Sequence, residues 1–199
     1  MAIYSGVATP AQIPAIYREV LRPSSQAWNY VATPYYNNYV LDAITQSGHM
    51  QDAMSFVRNY WGGMLAEGAT SWWEGYDPSW EKKSFHSHLQ ADNGTGYFVS
   101  LSHGWSAGPT NWLTERVLGV RPTGAGFSTF DLQPNLGDLN WVAGAVPTPR
   151  GLIELRIDKI GARYKIQVTV PKGTVGHLGP QVLKPGTQTI EVDAPVDAQ

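Results

Sequence analysis

The sequence predicts an α+β chain in two parts, with a helical segment over residues 1–122 and an antiparallel β-sandwich over residues 123–199. Before residue 122 the apolar residues recur three and four positions apart, as on one face of a helix. After it they alternate with polar residues in short segments that are separated by Gly and Pro turns. The chain has 199 residues and an apolar content of 42%, which is enough to form packed cores.

Four helices are expected in the first part. Each carries an apolar stripe, and Pro or Gly stands near an end of each. The expected ranges are residues 9–21, 36–45, 51–65 and 109–120. Only a few residues around Ser47 and Gly48 separate the second helix from the third, so we expect a helical hairpin there.

Six strands are expected in the second part. The clearest pair is residues 152–158 and 164–170, where Ile, Leu, Val and Tyr alternate with charged or polar residues. The short connection around Gly161 predicts that these two strands form a β-hairpin. The other expected strands are residues 127–132, 139–145, 173–178 and 187–192.

The composition disfavours several classes of partner. A net charge of −2 provides no basic surface, so nucleic acid and an anionic membrane are not expected as partners. The absence of cysteine excludes disulfides and thiolate metal sites. The sequence shows neither a signal-peptide pattern nor an apolar run of membrane-spanning length, which leaves the compartment open. With 8 Trp, 10 Tyr and only 15% charged residues, the chain favours a neutral aromatic cleft.

Residues 71–80, with the sequence S-W-W-E-G-Y-D-P-S-W, form the most informative stretch for function. The rings of Trp72, Trp73 and Tyr76 can stack on the apolar faces of sugar rings. Glu74 among them supplies the carboxylate that glycoside hydrolysis requires. The alternative is that the rings belong to the core and that Glu74 is a structural carboxylate.

Other acidic and histidine side chains nearby allow further interpretations. Asp77 precedes a proline and favours a turn, and Glu81 stands beside two lysines as on a solvated face. His86, His88 and His103 together contain enough ligands for a zinc site. They lack the helical H-E-x-x-H spacing, so we expect neither a metal nor another cofactor. The structural alternative for His103 is a buried, hydrogen-bonded histidine.

Several motifs in succession resemble the C-terminal end of the bacterial α-L-rhamnosidases, glycoside hydrolase family 78. The resemblance extends from about residue 30 to about residue 180. Its motifs are Y-W-G-G-M-L over residues 60–65, G-A-T-S-W-W-E over residues 68–74, S-L-S-H-G-W-S-A-G-P over residues 100–109, V-L-G-V-R-P over residues 117–122, and W-V-A-G-A-V-P-T-P-R-G over residues 141–151.

The resemblance implies that the helices are the end of an (α/α)6 toroid of helical hairpins, which is followed by a C-terminal β-sandwich. It also implies an enzyme that hydrolyses terminal α-L-rhamnose from glycosides with inversion of configuration. Glu74 matches the glutamate expected to act as general base, and His103 matches a histidine expected to contact the sugar. Trp72, Trp73 and Trp105 are expected to line the sugar-binding pocket.

The toroid and the general acid are both expected to be incomplete in this chain. Twelve helices of ordinary length with short connections need on the order of 200 residues, whereas only residues 1–122 precede the predicted sandwich. Nothing in residues 1–29 matches the family's acidic cluster, so we expect the chain to be inactive alone. It would meet the N-terminal part of the enzyme or self-associate. The alternatives are a non-catalytic carbohydrate-binding module and a structural assembly segment.

Overall fold

The computed structural model describes residues 1–22, 33–77 and 100–196. The chain divides into two compact units, residues 1–109 and residues 110–197. The first unit is helical and the second contains the strands, as the predicted α+β class requires. The predicted domain boundary at residue 122 lies inside the second unit and stays a prediction. Within the described ranges, no helix is both long and apolar enough to cross a membrane.

Among its described residues, the first unit contains three α-helices. Helix α1 spans Ile13–Ile16 and continues as wider i→i+5 turns over Tyr17–Leu21. Helix α2 spans Pro34–Gln46, and helix α3 spans Met50–Ala66. Gly48 between them has a φ of +89°, a left-handed conformation that glycine adopts without strain. The predicted helical hairpin is therefore confirmed, with helix ends within two residues of those expected.

The core of the first unit lies mainly along the hairpin. Residues spaced three and four apart on both helices are buried, as an amphipathic pattern predicts. They include Leu41, Ile44, Ala53, Phe56, Tyr60, Trp61 and Met64. The N-terminal segment packs on the same hairpin: the Tyr17 ring stacks on His49, with ring centroids 3.4 Å apart, and its hydroxyl donates to the Asp52 carboxylate.

The second unit contains two sheets and a helical segment whose first two residues are assigned to the first unit. Helix α4 spans Gly108–Trp112 and continues as wider turns over Leu113–Val117. The strands are β1 Val120–Pro122, β2 Thr129–Leu132, β3 Trp141–Thr148, β4 Gly151–Ile160, β5 Arg163–Val170, β6 Val175–Leu178, β7 Gln181–Leu183 and β8 Gly186–Asp193. Their order is β1-β2-β6-β7 in one sheet and β3-β4-β5-β8 in the other.

The β4–β5 hairpin confirms the clearest strand prediction. Ile157 pairs with Ile166, and Leu155 pairs with Val168, so the apolar sides of both strands face the same way. These residues are buried together with side chains from the other sheet. The core includes Val120, Phe130, Leu132, Leu136, Ile153, Tyr164 and Leu183. The result is two sheets with a common apolar interior, as expected for a β-sandwich.

The structure corrects the strand prediction in two respects. Among the described residues there are eight strands rather than six, because β1 and β7 were not expected. The first sheet is also mixed rather than antiparallel, since β2 and β6 run parallel with Phe130 opposite Gly176. A side chain at Gly176 would collide with the Phe130 ring, so glycine allows this close pairing.

Gly119 ends the α4 segment in a conformation that requires glycine. Its φ is +83°, and an added Cβ would overlap the backbone of Gln133 and Pro134. We expect Gly119→Ala to lower the free energy of unfolding by at least about 2 kcal/mol, because strain and overlap act together. Gly161→Ala is the matched control, since Gly161 has a φ of +62° but open space around it. Equal losses in urea unfolding would contradict the role of the overlap.

Candidate active site

Two segments of the helical unit lie side by side and hold the predicted site residues. The Glu74 backbone N–H donates to the Ser100 carbonyl at 2.8 Å, and the His103 N–H donates to the Trp72 carbonyl at 2.8 Å. These bonds bring the motif over residues 68–74 next to the motif that begins at residue 100. Glu81, His86 and His88 lie outside the described residues.

Helix α3 anchors both segments through a buried serine. The Ser106 hydroxyl donates to the Trp73 carbonyl at 2.7 Å, and the Trp61 indole N–H donates to the Ser106 carbonyl at 2.9 Å. Ser106 has no exposed surface, and Trp61 is 1% exposed. Since buried polar groups require partners, these two bonds fix the second segment against the first and against α3.

The Glu74 carboxylate is positioned by the second segment. Its Oε2 accepts a hydrogen bond from the Ser100 N–H at 2.9 Å, while the Glu74 N–H bonds to the carbonyl of the same serine. The His103 Nδ1 lies 3.8 Å from that Oε2, which is too long for a hydrogen bond but close enough for electrostatic interaction. Both side chains are about one-third exposed. The carboxylate is thus oriented and remains accessible to solvent.

An aromatic wall continues from His103. The His103 and Trp105 ring centroids are 4.3 Å apart, and Trp105 in turn lies 5.6 Å from the Tyr35 ring at the start of α2. Trp105 and Tyr35 are 44% and 45% exposed, so both offer ring surface to a ligand. Sequence reasoning did not select Tyr35 as a site residue. Its position in the Thr33-Pro34-Tyr35-Tyr36 sequence at the start of a helix was the available signal.

The other predicted aromatic residues are placed differently. Trp72 is half-buried, and its carbonyl holds His103. Trp73 and Tyr76 are only 4% and 7% exposed, and Tyr76 packs edge-on against Tyr60 with centroids 5.5 Å apart. Buried rings stabilise the segment that carries Glu74 but present little surface to a sugar. Stacking of Trp72, Trp73 and Tyr76 on substrate stays a prediction.

Burial gives Tyr76 a pH-dependent effect on stability. Desolvation, together with the nearby carboxylates of Glu67 and Asp77, raises the pKa of the Tyr76 phenol above its usual value. A raised pKa in the folded state means that stability is fully present below the unfolded pKa of about 10 and is lost as pH rises through the folded value. We expect the free energy of unfolding to fall as pH rises above about 10, and Tyr76→Phe to reduce that slope. Tyr36→Phe, at an exposed ring, is the control. The same slope in all three proteins would contradict the prediction.

No metal-binding cluster is found in the part of the chain that the structure describes. Within residues 1–22, 33–77 and 100–196, no three His, Asp or Glu side chains come together as metal ligands would. Because His86 and His88 lie outside these ranges, the structure leaves the three-histidine alternative untested.

Comparison with known proteins identifies the β unit. Residues 119–193 match the family model described as the bacterial alpha-L-rhamnosidase C-terminal domain. A curated relative, an alpha-L-rhamnosidase of Alteromonas sp. (strain LOR), is 31% identical over 98 residues, which are 49% of this chain and 10% of the relative. The chain therefore spans about a tenth of the length of that relative.

Solved rhamnosidase structures share the fold. The family 78 rhamnosidase of Bacillus sp. GL1 superposes with a TM-score of 0.64 and 25% identity, over 89% of this chain and 19% of its own. The α-L-rhamnosidase of Aspergillus terreus has a TM-score of 0.64 and 18% identity, over 78% of this chain and 18% of its own. Such coverage extends beyond residues 119–193 into the helical unit. By sequence and by fold, the chain corresponds to the C-terminal portion of the α-L-rhamnosidases of glycoside hydrolase family 78.

Proposed function

We propose that this chain is part of an inverting α-L-rhamnosidase and that Glu74 is its general base. The observation that carries the proposal is the position of the Glu74 carboxylate. It is held by the Ser100 N–H, lies 3.8 Å from the His103 Nδ1, and is one-third exposed. A general base must be fixed in orientation and within reach of water, and this carboxylate meets both requirements.

The proposed reaction has one displacement step. Glu74 takes a proton from a water molecule, whose oxygen attacks the anomeric carbon from the face opposite to the leaving oxygen. The bond from the anomeric carbon to the leaving oxygen breaks, and that oxygen receives a proton from a general acid. His103 would bond to a sugar hydroxyl, and the exposed ring of Trp105 would pack against the sugar.

The general acid is proposed to come from outside these residues. In an inverting site the two carboxyl groups stand about 6.5–9.5 Å apart, which leaves room for the attacking water. We infer that the α2–α3 hairpin belongs to an (α/α)6 toroid whose other hairpins carry the acid. This inference is supported by the structural coverage, which includes helical residues of this chain. The partner that carries the acid would be the N-terminal part of the enzyme, and self-association of this chain is a separate proposal that does not supply the acid.

Two substrates whose leaving groups differ in their need for a general acid test the proposal. α-L-Rhamnosyl fluoride has a leaving group that departs with little help from an acid, whereas methyl α-L-rhamnoside needs one. We expect the chain to hydrolyse the fluoride slowly, to release β-L-rhamnose first by NMR, and to leave the methyl glycoside intact. Hydrolysis of the methyl glycoside would show that the acid lies within this chain. An α-configured first product would exclude inversion, and an inert fluoride would remove the catalytic role.

A non-catalytic carbohydrate-binding role is the second candidate. It is favoured by the exposed rings of Trp105 and Tyr35, which lie next to each other. Such a module would show saturable quenching of Trp fluorescence by L-rhamnose without hydrolysis of either substrate. Turnover of the fluoride that requires Glu74 would decide against this alternative.

A further inference from the structure

The sheet β3-β4-β5-β8 has an outer face that points away from the core of the β unit. Alternate residues of each strand point away from the core, and those on this face are exposed or half-exposed. Register places Trp141, Asp158, Lys165 and Glu191 in one row across the sheet. The next row contains Ala143, Arg156, Gln167 and Thr189.

Trp141 is 56% exposed on this face and contacts an arginine. The Arg156 guanidinium lies over the indole, 5.0 Å from the ring centroid. Asp158 accepts two hydrogen bonds from that guanidinium, from Nε at 3.0 Å and from a terminal nitrogen at 2.7 Å. The cation therefore covers part of the indole, and such a cation–π contact favours one orientation of the ring.

The surface beside this ring is open and lined with hydrogen-bonding groups. Ala143 and Ala145 follow Trp141 on the outward side of β3, which is an edge strand. Their small side chains form a shallow surface next to the indole, which we call the floor. The Ala143 row continues with the amide of Gln167 two strands away and the hydroxyl of Thr189 three strands away. The row beyond contributes Thr169 and Thr187, whose hydroxyls are 2.9 Å apart.

The acidic and basic side chains on this face are close to balanced in number, with Arg156, Arg163 and Lys165 against Glu154, Asp158, Glu191 and Asp193. Arg156 bonds to Asp158, and Arg163 lies 3.1 Å from a Glu191 oxygen and 3.9 Å from an Asp193 oxygen. A surface with such balanced charge favours neither an anionic polymer nor a cationic peptide. A neutral ligand with an apolar face and several hydroxyl groups fits a planar indole surrounded by amide, guanidinium and hydroxyl groups.

We propose that Trp141, Arg156 and the floor formed by Ala143 and Ala145 bind one pyranose unit of a neutral carbohydrate chain. The sugar packs its apolar face against the exposed part of the indole and this floor, and its hydroxyls bond to Arg156 and Gln167. This site lies in the β unit, and its existence does not depend on Glu74 being a base.

Affinity electrophoresis in gels that contain a neutral rhamnose homopolymer, or dextran as a glucose homopolymer, tests the proposal. We expect at least one polymer to retard the chain, and Trp141→Ala to weaken that retardation by about ten-fold, as loss of a central aromatic anchor does. Trp141→Phe keeps part of the ring and should fall between the two. Leu152→Ala removes another exposed apolar side chain from the same sheet and is the matched control.

Three results would overturn the proposal. The first is that neither polymer retards the chain. The second is that retardation survives Trp141→Ala and is lost in Trp105→Ala, which would place binding in the helical unit. The third is that Trp141→Ala changes the sedimentation coefficient and not the retardation, which would make Trp141 a contact between protein molecules. Urea unfolding of each variant shows whether the fold is retained.

Discussion

Replacing Glu74 by Gln is expected to slow hydrolysis of α-L-rhamnosyl fluoride by about 10²–10⁴-fold, the usual contribution of a general base. The amide cannot take a proton from water at neutral pH. Its oxygen can still accept the hydrogen bond from Ser100, so the segment should stay in place. Initial rates of fluoride release measure the effect directly.

Three further variants make this result specific to Glu74. Glu19→Gln neutralises an exposed carboxylate of the same unit and should leave the rate unchanged. Asp77→Asn tests the other carboxylate of the stretch over residues 71–80, and a large loss there with none at Glu74 would reverse the assignment of the base. In Glu74→Ala, azide should restore product formation by attacking the anomeric carbon as fluoride leaves, giving the β-configured azide. Absence of rescue would count against a base that activates a nucleophile on that face.

Trp61→Ala is expected to lower the free energy of unfolding by about 3–5 kcal/mol, the range for removing a buried large aromatic. The indole is 1% exposed, and its ring contacts Phe56 and Tyr60 with centroids 5.6 Å and 5.0 Å away. Truncation would leave a cavity and an unpaired Ser106 carbonyl as well. Urea unfolding followed by circular dichroism measures the loss without relying on Trp fluorescence.

The controls for Trp61 separate ring packing from the hydrogen bond. Trp61→Phe keeps most of the packing but removes the N–H, so we expect a smaller loss of about 1–2 kcal/mol. Loss of the bond to the Ser106 carbonyl should also loosen the backbone at that residue. We therefore expect faster amide hydrogen exchange at Ser106, whose N–H donates to the His103 carbonyl. Trp105→Ala removes a ring that is 44% exposed and should cost far less. Equal losses for Trp61→Ala and Trp105→Ala would contradict the central role of Trp61.

The sequence predicts the long regular elements of this fold and fails where pairing is non-local. Helices α2 and α3 and the β4–β5 hairpin carry enough repeats of an apolar pattern to be recognised. Strands β1 and β7 are too short to show alternation. The parallel pairing of β2 with β6 joins residues that are far apart in sequence, and no local pattern encodes it.

For the candidate site, the sequence predicts residue chemistry better than residue orientation. Motif resemblance linked Glu74 with His103, and the structure places their side chains 3.8 Å apart. Composition alone does not tell which ring of a Trp-rich segment turns inward, and here it is Trp73. Tyr35 was missed because α2 begins two residues earlier than its apolar stripe predicts, at Pro34.

Two hydrogen bonds join Glu74 and Ser100: the Glu74 N–H donates to the Ser100 carbonyl, and the Ser100 N–H donates to the Glu74 carboxylate. One of these bonds holds the Glu74 backbone and the other holds its side chain, so the carboxylate and the segment that carries it are fixed by the same partner residue. The orientation of the carboxylate therefore depends on a pairing between residues that are 26 positions apart in the sequence.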